Sequence, residues 1–339
     1  MKGSSEWGSV RKIRSLSQIM ALLEAIGPAG EADQEEAMRK SLVEQHIVLE
    51  RARLRGAQSS FRSFEKIRRS LHALTEDNLS FLTRSSFVRM EKERVALSPQ
   101  SRRLLRLWNK GSEEKVRKKV LERILISPYR AYMEFLLNLQ RIGGVFTLPA
   151  GGDKRTRVSG LRRKLQLSGF KTDIASFYTA RDFLYDFRLV NHVANENKRL
   201  ETIFLTCAIT RRTDPSRRFK NRVRAREYYI YYDRVLPPFK FCNELIEGYK
   251  TLSNAWSKWI RLIRLRDAVT IGLHISDECF DANLIRVLKR GGCNSFKVDG
   301  SAGYRLWERT YGDIVKSMRM PLTSGGRPIQ YVAIARGQS

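Results

Sequence analysis

Apolar residues in the middle of the chain recur at helical spacing from Tyr129 to Gly144 (Tyr132, Phe135, Leu136, Leu139), and the Gly143-Gly144 pair predicts the end of that helix. The short run Val145–Pro149 is β-rich and closes on turn residues. A basic helix is predicted over Arg157–Leu167 and a third over Thr172–Phe187, where Thr172 or Asp173 can accept from free first-turn N–H groups. Two β-rich runs follow, Leu189–Ala194 and Leu200–Thr206, joined by Asn195-Glu-Asn-Lys198, which is hairpin turn chemistry. The order is helix, strand, helix, helix, two-stranded wing.

Upstream, Leu16–Ile26 is a short apolar helix stopped by Gly27-Pro28. Residues 31–56 predict a longer helix opened by Glu31, Asp33, Glu35 and Glu36 and closed by Arg51, Arg53 and Arg55, each sign suiting its end of the helix dipole. Phe61, Phe64, Ile67, Leu71 and Leu74 form one apolar stripe, with Arg62, Lys66 and Arg69 opposite. Phe87–Met90 and Arg94–Ser98 flank a tight hairpin, and helices are predicted over the following Ser98–Trp108 run and over 113–126. Downstream, Glu227–Phe239 alternates as a strand, helices are predicted over 240–252 and 253–266, Val269–Ile275 as a strand and Asp281–Arg290 as a helix. The run from Ser295 to Trp307 predicts a hairpin around Asp299-Gly300, and a Gly-rich turn at Ser324–Arg327 precedes a final strand.

The succession over residues 57–108, two helices, Phe87-Val88, a basic hairpin, then Arg102/Arg103-Leu104-Leu105, resembles the wing region of MarR-type winged-helix proteins; it departs at Ser86, where that family usually has Gly. The order of modules over 16–300 is similar to the recognition region of FokI-type restriction endonucleases. These resemblances imply a mainly α protein with small β-hairpin wings, built from two or three tandem winged-helix (helix-turn-helix) domains. The expected division is a basic tail at 1–15, winged-helix domains at 16–112 and 113–210, a basic arm at 211–226, and a C-terminal domain at 227–339 that is a candidate third winged helix.

Charge decides the class of partner. With 64 Lys and Arg against 35 Asp and Glu the net charge is +29, which favours a polyanion. No apolar run approaches the ~18 residues a bilayer span needs, and the N-terminus lacks a signal-peptide core. A cytoplasmic, nucleoid-associated location with no membrane partner is therefore expected. Cys207, Cys242, Cys279 and Cys293 form no C-x-x-C pair and are expected as buried thiols rather than disulfides; Cys279, Cys293 and His274 fit no standard zinc spacing.

The arm 211–226 holds eight Arg or Lys and one Asp; six of those cations on phosphates would give a log–log salt slope of about −5. Candidate nucleic-acid contacts are Arg62, Lys66 and Arg69 on the first basic helix, and Arg84, Arg89 and Lys92 around the first wing. The central module adds Arg162, Arg163 and Lys164, Thr179 and Lys198, and the arm adds Arg211, Arg212, Arg217, Arg218, Lys220, Arg222, Arg224 and Arg226. Asp182 and Asp186 sit awkwardly on a groove-facing helix 172–187, so which helix reads the groove is open. Tyr228, Tyr229, Tyr231 and Tyr232 beside the arm are expected as strand residues, core on one face, rather than as a stacking platform. No phosphate-binding loop, G-x-S-x-G, H-E-x-x-H or nuclease carboxylate pattern occurs, so neither catalysis nor a cofactor or metal is expected. The expected function is double-stranded DNA binding, as a sequence-reading regulator or the recognition subunit of a DNA-processing or defence complex, with residues 31–56 as a possible protein contact. The alternatives are a restriction-type nuclease with an unrecognised C-terminal domain and a structural RNA-binding protein.

Overall fold

A computed structural model of the 339-residue chain describes residues 13, 15–26, 31–33, 79–91, 94–126, 130–149, 154–195, 200–211, 218–253, 255–290, 292–293, 296–301, 323–324, 327–329 and 331–336. The chain divides into two compact units, the first made of Met1–Phe135, Phe170–Phe187 and Val223–Glu227, the second of Leu136–Gly169, Arg188–Arg222 and Tyr228–Ser339.

In the first unit, helix α1 (Leu16–Ile26) buries Leu16, Ile19, Met20, Leu23 and Ile26. Strands β2 (Val88–Glu91) and β3 (Arg94–Leu97) form the expected hairpin, with Val88 opposite Leu97. Strand β1 (Glu31–Asp33) adds to β3 on its other edge, Glu31 opposite Ala96. Helix α2 (Pro99–Asn109) starts cleanly because Pro99 needs no hydrogen-bonded N–H and the Ser98 hydroxyl accepts from Ser101 N–H at 3.2 Å. Helix α3 (Glu113–Ile126) buries Val116, Val120 and Ile124 at four-residue spacing. Helix α4 (Arg130–Arg141) brings Tyr132 and Phe135, and helix α6 (Ile174–Asp186, counting α5 below) is capped by Asp173, whose carboxylate accepts from Ser176 N–H at 2.9 Å. The aromatic core closes here: Tyr132 meets Phe183 at 4.3 Å, Phe135 meets Phe177 at 5.0 Å and Phe183 stacks on Phe187 at 4.5 Å between ring centroids.

In the second unit, β4 (Val145–Pro149), β6 (Leu200–Leu205) and β5 (Val190–Asn195) form an antiparallel sheet in the order β4-β6-β5, with helix α5 (Lys154–Leu167) burying Leu161 and Leu165. A second sheet runs β7 (Ala208–Thr210), β9 (Tyr228–Arg234), β8 (Phe219–Ala225); of β8, Phe219–Arg222 belong to this unit. Helices α7 (Pro238–Leu252), α8 (Leu262–Leu273) and α9 (Asp277–Arg290) share a core with a sheet ordered β10 (Ile260–Arg261), β15 (Tyr331–Arg336), β12 (Phe296–Ser301), β11 (Gly292–Cys293). Gly248 permits the close approach of α7 and α8, since a Cβ there would meet Val269 at 3.2 Å. A two-residue ribbon pairs β13 (Thr323–Ser324) with β14 (Arg327–Pro328) at the expected Gly-rich turn.

Several expectations are corrected. The chain is not a mainly α array of tandem winged helices: the described residues alternate helices with three- and four-stranded antiparallel sheets, and the C-terminal part is an α-plus-β core rather than a third winged helix. Strands recruited from far along the chain make the difference, because local periodicity shows a strand but not its partner. Glu31–Asp33 is strand rather than helix opening; residues 34–56, the rest of the candidate protein contact, lie outside the described residues. Val269–Leu273 is helical, its β-branched propensity overridden by burial of Leu265, Val269 and Leu273 on one stripe. None of the described residues of 253–261 is helical, and Asp299-Gly300 lies within β12, paired to Ala333 and Val332, rather than at a hairpin tip. Cys242 and Cys293 form a disulfide with Cα atoms 5.4 Å apart, so they are not the buried free thiols expected.

Candidate nucleic-acid interface

The part of the cationic arm that the structure describes is a strand. Along β8, Asn221, Val223 and Ala225 alternate with exposed Lys220, Arg222 and Arg224, and Val223 and Ala225 are buried. Alternation puts the three cations on one face at about 6.6 Å intervals. No carboxylate pairs with any of the three among the described residues; the Asp233 carboxylate instead accepts from Asn221 at 2.7 Å and faces Arg188 at 3.4 Å. Arg226, at φ 55°, forms the tight turn into β9 with Glu227. The basic arm expected over 211–226 is therefore a β-strand from Phe219 to Ala225. The signal was present as period-two alternation, masked by the density of charge.

Guanidinium groups cover the neighbouring tyrosines. Arg222 lies 5.4 Å from the ring centroid of Tyr229, Arg211 lies 5.5 Å from that of Tyr228 and donates to its hydroxyl at 3.3 Å, and Tyr231 and Tyr232 are buried. The Arg218 carbonyl accepts from Val235 N–H at 2.7 Å, which pins the start of β8 beside the end of β9, and its guanidinium is exposed.

The other candidates fall on separate elements. Arg162, Arg163 and Lys164 are exposed on α5, Lys164 with its ammonium 5.7 Å from the Phe146 ring centroid. Arg84 and Arg89 are exposed, Arg89 on β2. Arg62, Lys66, Arg69, Lys92, Lys198, Arg212 and Arg217 lie outside the described residues. Thr179 is corrected: it is buried at 1% exposure, and its hydroxyl donates to the Ala175 carbonyl at 3.0 Å, so it presents nothing to a groove. The two awkward aspartates of this helix serve the fold. Asp186 faces the Arg117 guanidinium at 3.5 Å and accepts from Leu16 N–H at 2.9 Å, and Asp182 pairs with Arg181. Helix 172–187 is a core helix.

Among the described residues no group of three or more His, Cys, Asp or Glu is placed to hold a metal ion, and no helix is long and apolar enough to cross a membrane. Comparison with protein-family models, curated proteins and solved structures finds no match to this chain.

Proposed function

We propose that this chain is a non-catalytic binding protein for double-stranded DNA, serving a regulator or the recognition part of a larger DNA-processing or defence complex. The observation that carries the reading is the exposed face of β8, where Lys220, Arg222 and Arg224 stand in line without carboxylate partners among the described residues, in a chain of net charge +29. Such a face meets phosphates, and phosphate contacts position a protein on a duplex without reading its bases. The covered rings of Tyr228 and Tyr229 favour a duplex over a single strand, because no bare aromatic platform accompanies the cations among the described residues of this sheet.

The test is fluorescence anisotropy with a mixed-sequence duplex, its single strand and an RNA hairpin across a salt series with Mg²⁺ present, the DNA being inspected on a gel afterwards. Duplex preference is expected, with the DNA intact. The Lys220→Gln/Arg222→Gln/Arg224→Gln variant should flatten the log–log salt slope by about 2 to 3, at roughly 0.9 per lost contact. RNA preference, cut DNA, or an unchanged slope in the variant would each overturn the reading.

A further inference from the structure

The second unit contains a cavity of about 680 Å³ beside the β7-β9-β8 sheet, within the usual size of a small-molecule site. Its wall is two-sided in chemistry. Arg218, Arg234 and His274 supply the polar part, and Ile209, Phe219 and Tyr231 an apolar and aromatic part, with no carboxylate among the described lining residues. Two of these polar groups are held in place. Arg234 donates to the Leu273 carbonyl at 2.8 Å, and the His274 ring sits 5.6 Å from that of Phe204 on a left-handed residue that ends α8. Tyr231 is 6% exposed and packs 6.3 Å from Phe219 between centroids.

We propose that this cavity binds a nucleoside monophosphate unit, its phosphate at Arg218, Arg234 and His274 and its base against Phe219 and Tyr231. The match is chemical: an anion needs forked, unopposed donors, and a planar heterocycle needs ring and aliphatic wall. The site binds and does not react. Burial pushes the lining Cys207 thiol up to about 12, so it stays protonated and is no nucleophile. The inference goes beyond the duplex reading and stands on different residues, so either can fail alone. A free nucleotide and the phosphorylated end of a nucleic-acid strand offer the same chemistry.

Isothermal titration of the full chain with a nucleoside 5′-monophosphate, the matching nucleoside and inorganic phosphate tests it. One site is expected for the monophosphate, with nucleoside and phosphate each at least tenfold weaker. Arg218→Ala, at an exposed position, should weaken the monophosphate tenfold or more, and Phe219→Leu should weaken it severalfold while leaving inorganic phosphate binding unchanged. The β8 glutamine variant should bind the monophosphate as the parent does, which separates this site from the duplex face. Displacement by a 5′-phosphorylated oligonucleotide but not its unphosphorylated twin assigns the source as a strand end; no displacement assigns a free nucleotide. No binding at millimolar monophosphate, inorganic phosphate binding equally well, or unaltered binding in both the Arg218 and Phe219 variants would sink the proposal.

Discussion

Arg117 on α3 and Arg222 on β8 are the same residue in opposite surroundings. The Arg117 side chain is 7% exposed and meets Glu113, Glu114 and Asp186, donating also to the Asp186 carbonyl and lying 5.7 Å from the Phe187 ring centroid. Arg222 is exposed, touches one tyrosine face and has no carboxylate partner among the described residues. The first arginine has spent its charge inside the protein. The second keeps its charge for something outside. A count of Lys and Arg cannot tell these two apart, and the +29 of this chain is a sum over both kinds.

The strongest way to break the contrast is Arg117→Ala. The carboxylates left behind, Glu113, Glu114 and Asp186, are a third to a half exposed, so the loss comes from the bond to the Asp186 carbonyl and the packing on Phe187, and about 1–3 kcal/mol is expected in chemical denaturation. Duplex affinity, measured under conditions where the variant is folded, should stay as in the parent. A cost near zero would place Arg117 with the surface cations. Next in size, the β8 glutamine variant should lose duplex affinity while its stability stays within about 0.5 kcal/mol per substitution. A large fall in its thermal midpoint would mean those cations hold the fold instead. Smaller still, Arg222→Lys keeps the charge but loses the flat guanidinium over Tyr229, costing no more than about 0.5 kcal/mol of stability with the salt slope unchanged.

The smallest effects concern pH, and two groups of the second unit should pull in opposite directions. Burial, and then the Arg234 charge, hold His274 below its ordinary 6.5, so the unfolded chain takes the proton first and stability falls as pH drops through that range. Burial raises Asp281 to about 6 against the opposing Arg266, with Asp277 and Glu278 adding like charge. The folded state therefore holds the extra proton between about pH 4 and 6, and this contribution is lost as pH rises through 6. Thermal midpoints of His274→Gln and Asp281→Asn across pH 4.5 to 7.5 should show pH slopes altered with opposite sign relative to the parent.

The local elements were legible in the sequence where one rule acted alone. Leu16–Ile26, 113–126 and the strands of the central hairpin show their period and their stops, and the structure has them there. Pairing was not legible. Nothing near Glu31 announces that it will lie opposite Ala96, and nothing near Asp299-Gly300 shows that β15 will run alongside and turn a favoured hairpin tip into mid-strand. At the candidate interface, charge was legible and its geometry was not. Asp182 and Asp186 read as obstacles on a groove-facing helix because Arg181 and Arg117, their partners, were not known to be buried beside them. The Cys242–Cys293 pairing likewise depends on a helix and a strand meeting 51 residues apart in sequence.

That disulfide also sets how the C-terminal part answers to pulling. A loop of 51 residues is closed covalently, so roughly 170–180 Å of contour, at about 3.3–3.6 Å per residue, stays locked when the chain is stretched from its ends. Under tension the protein should yield only the residues outside the loop, and a reductant should release the hidden length as one additional step.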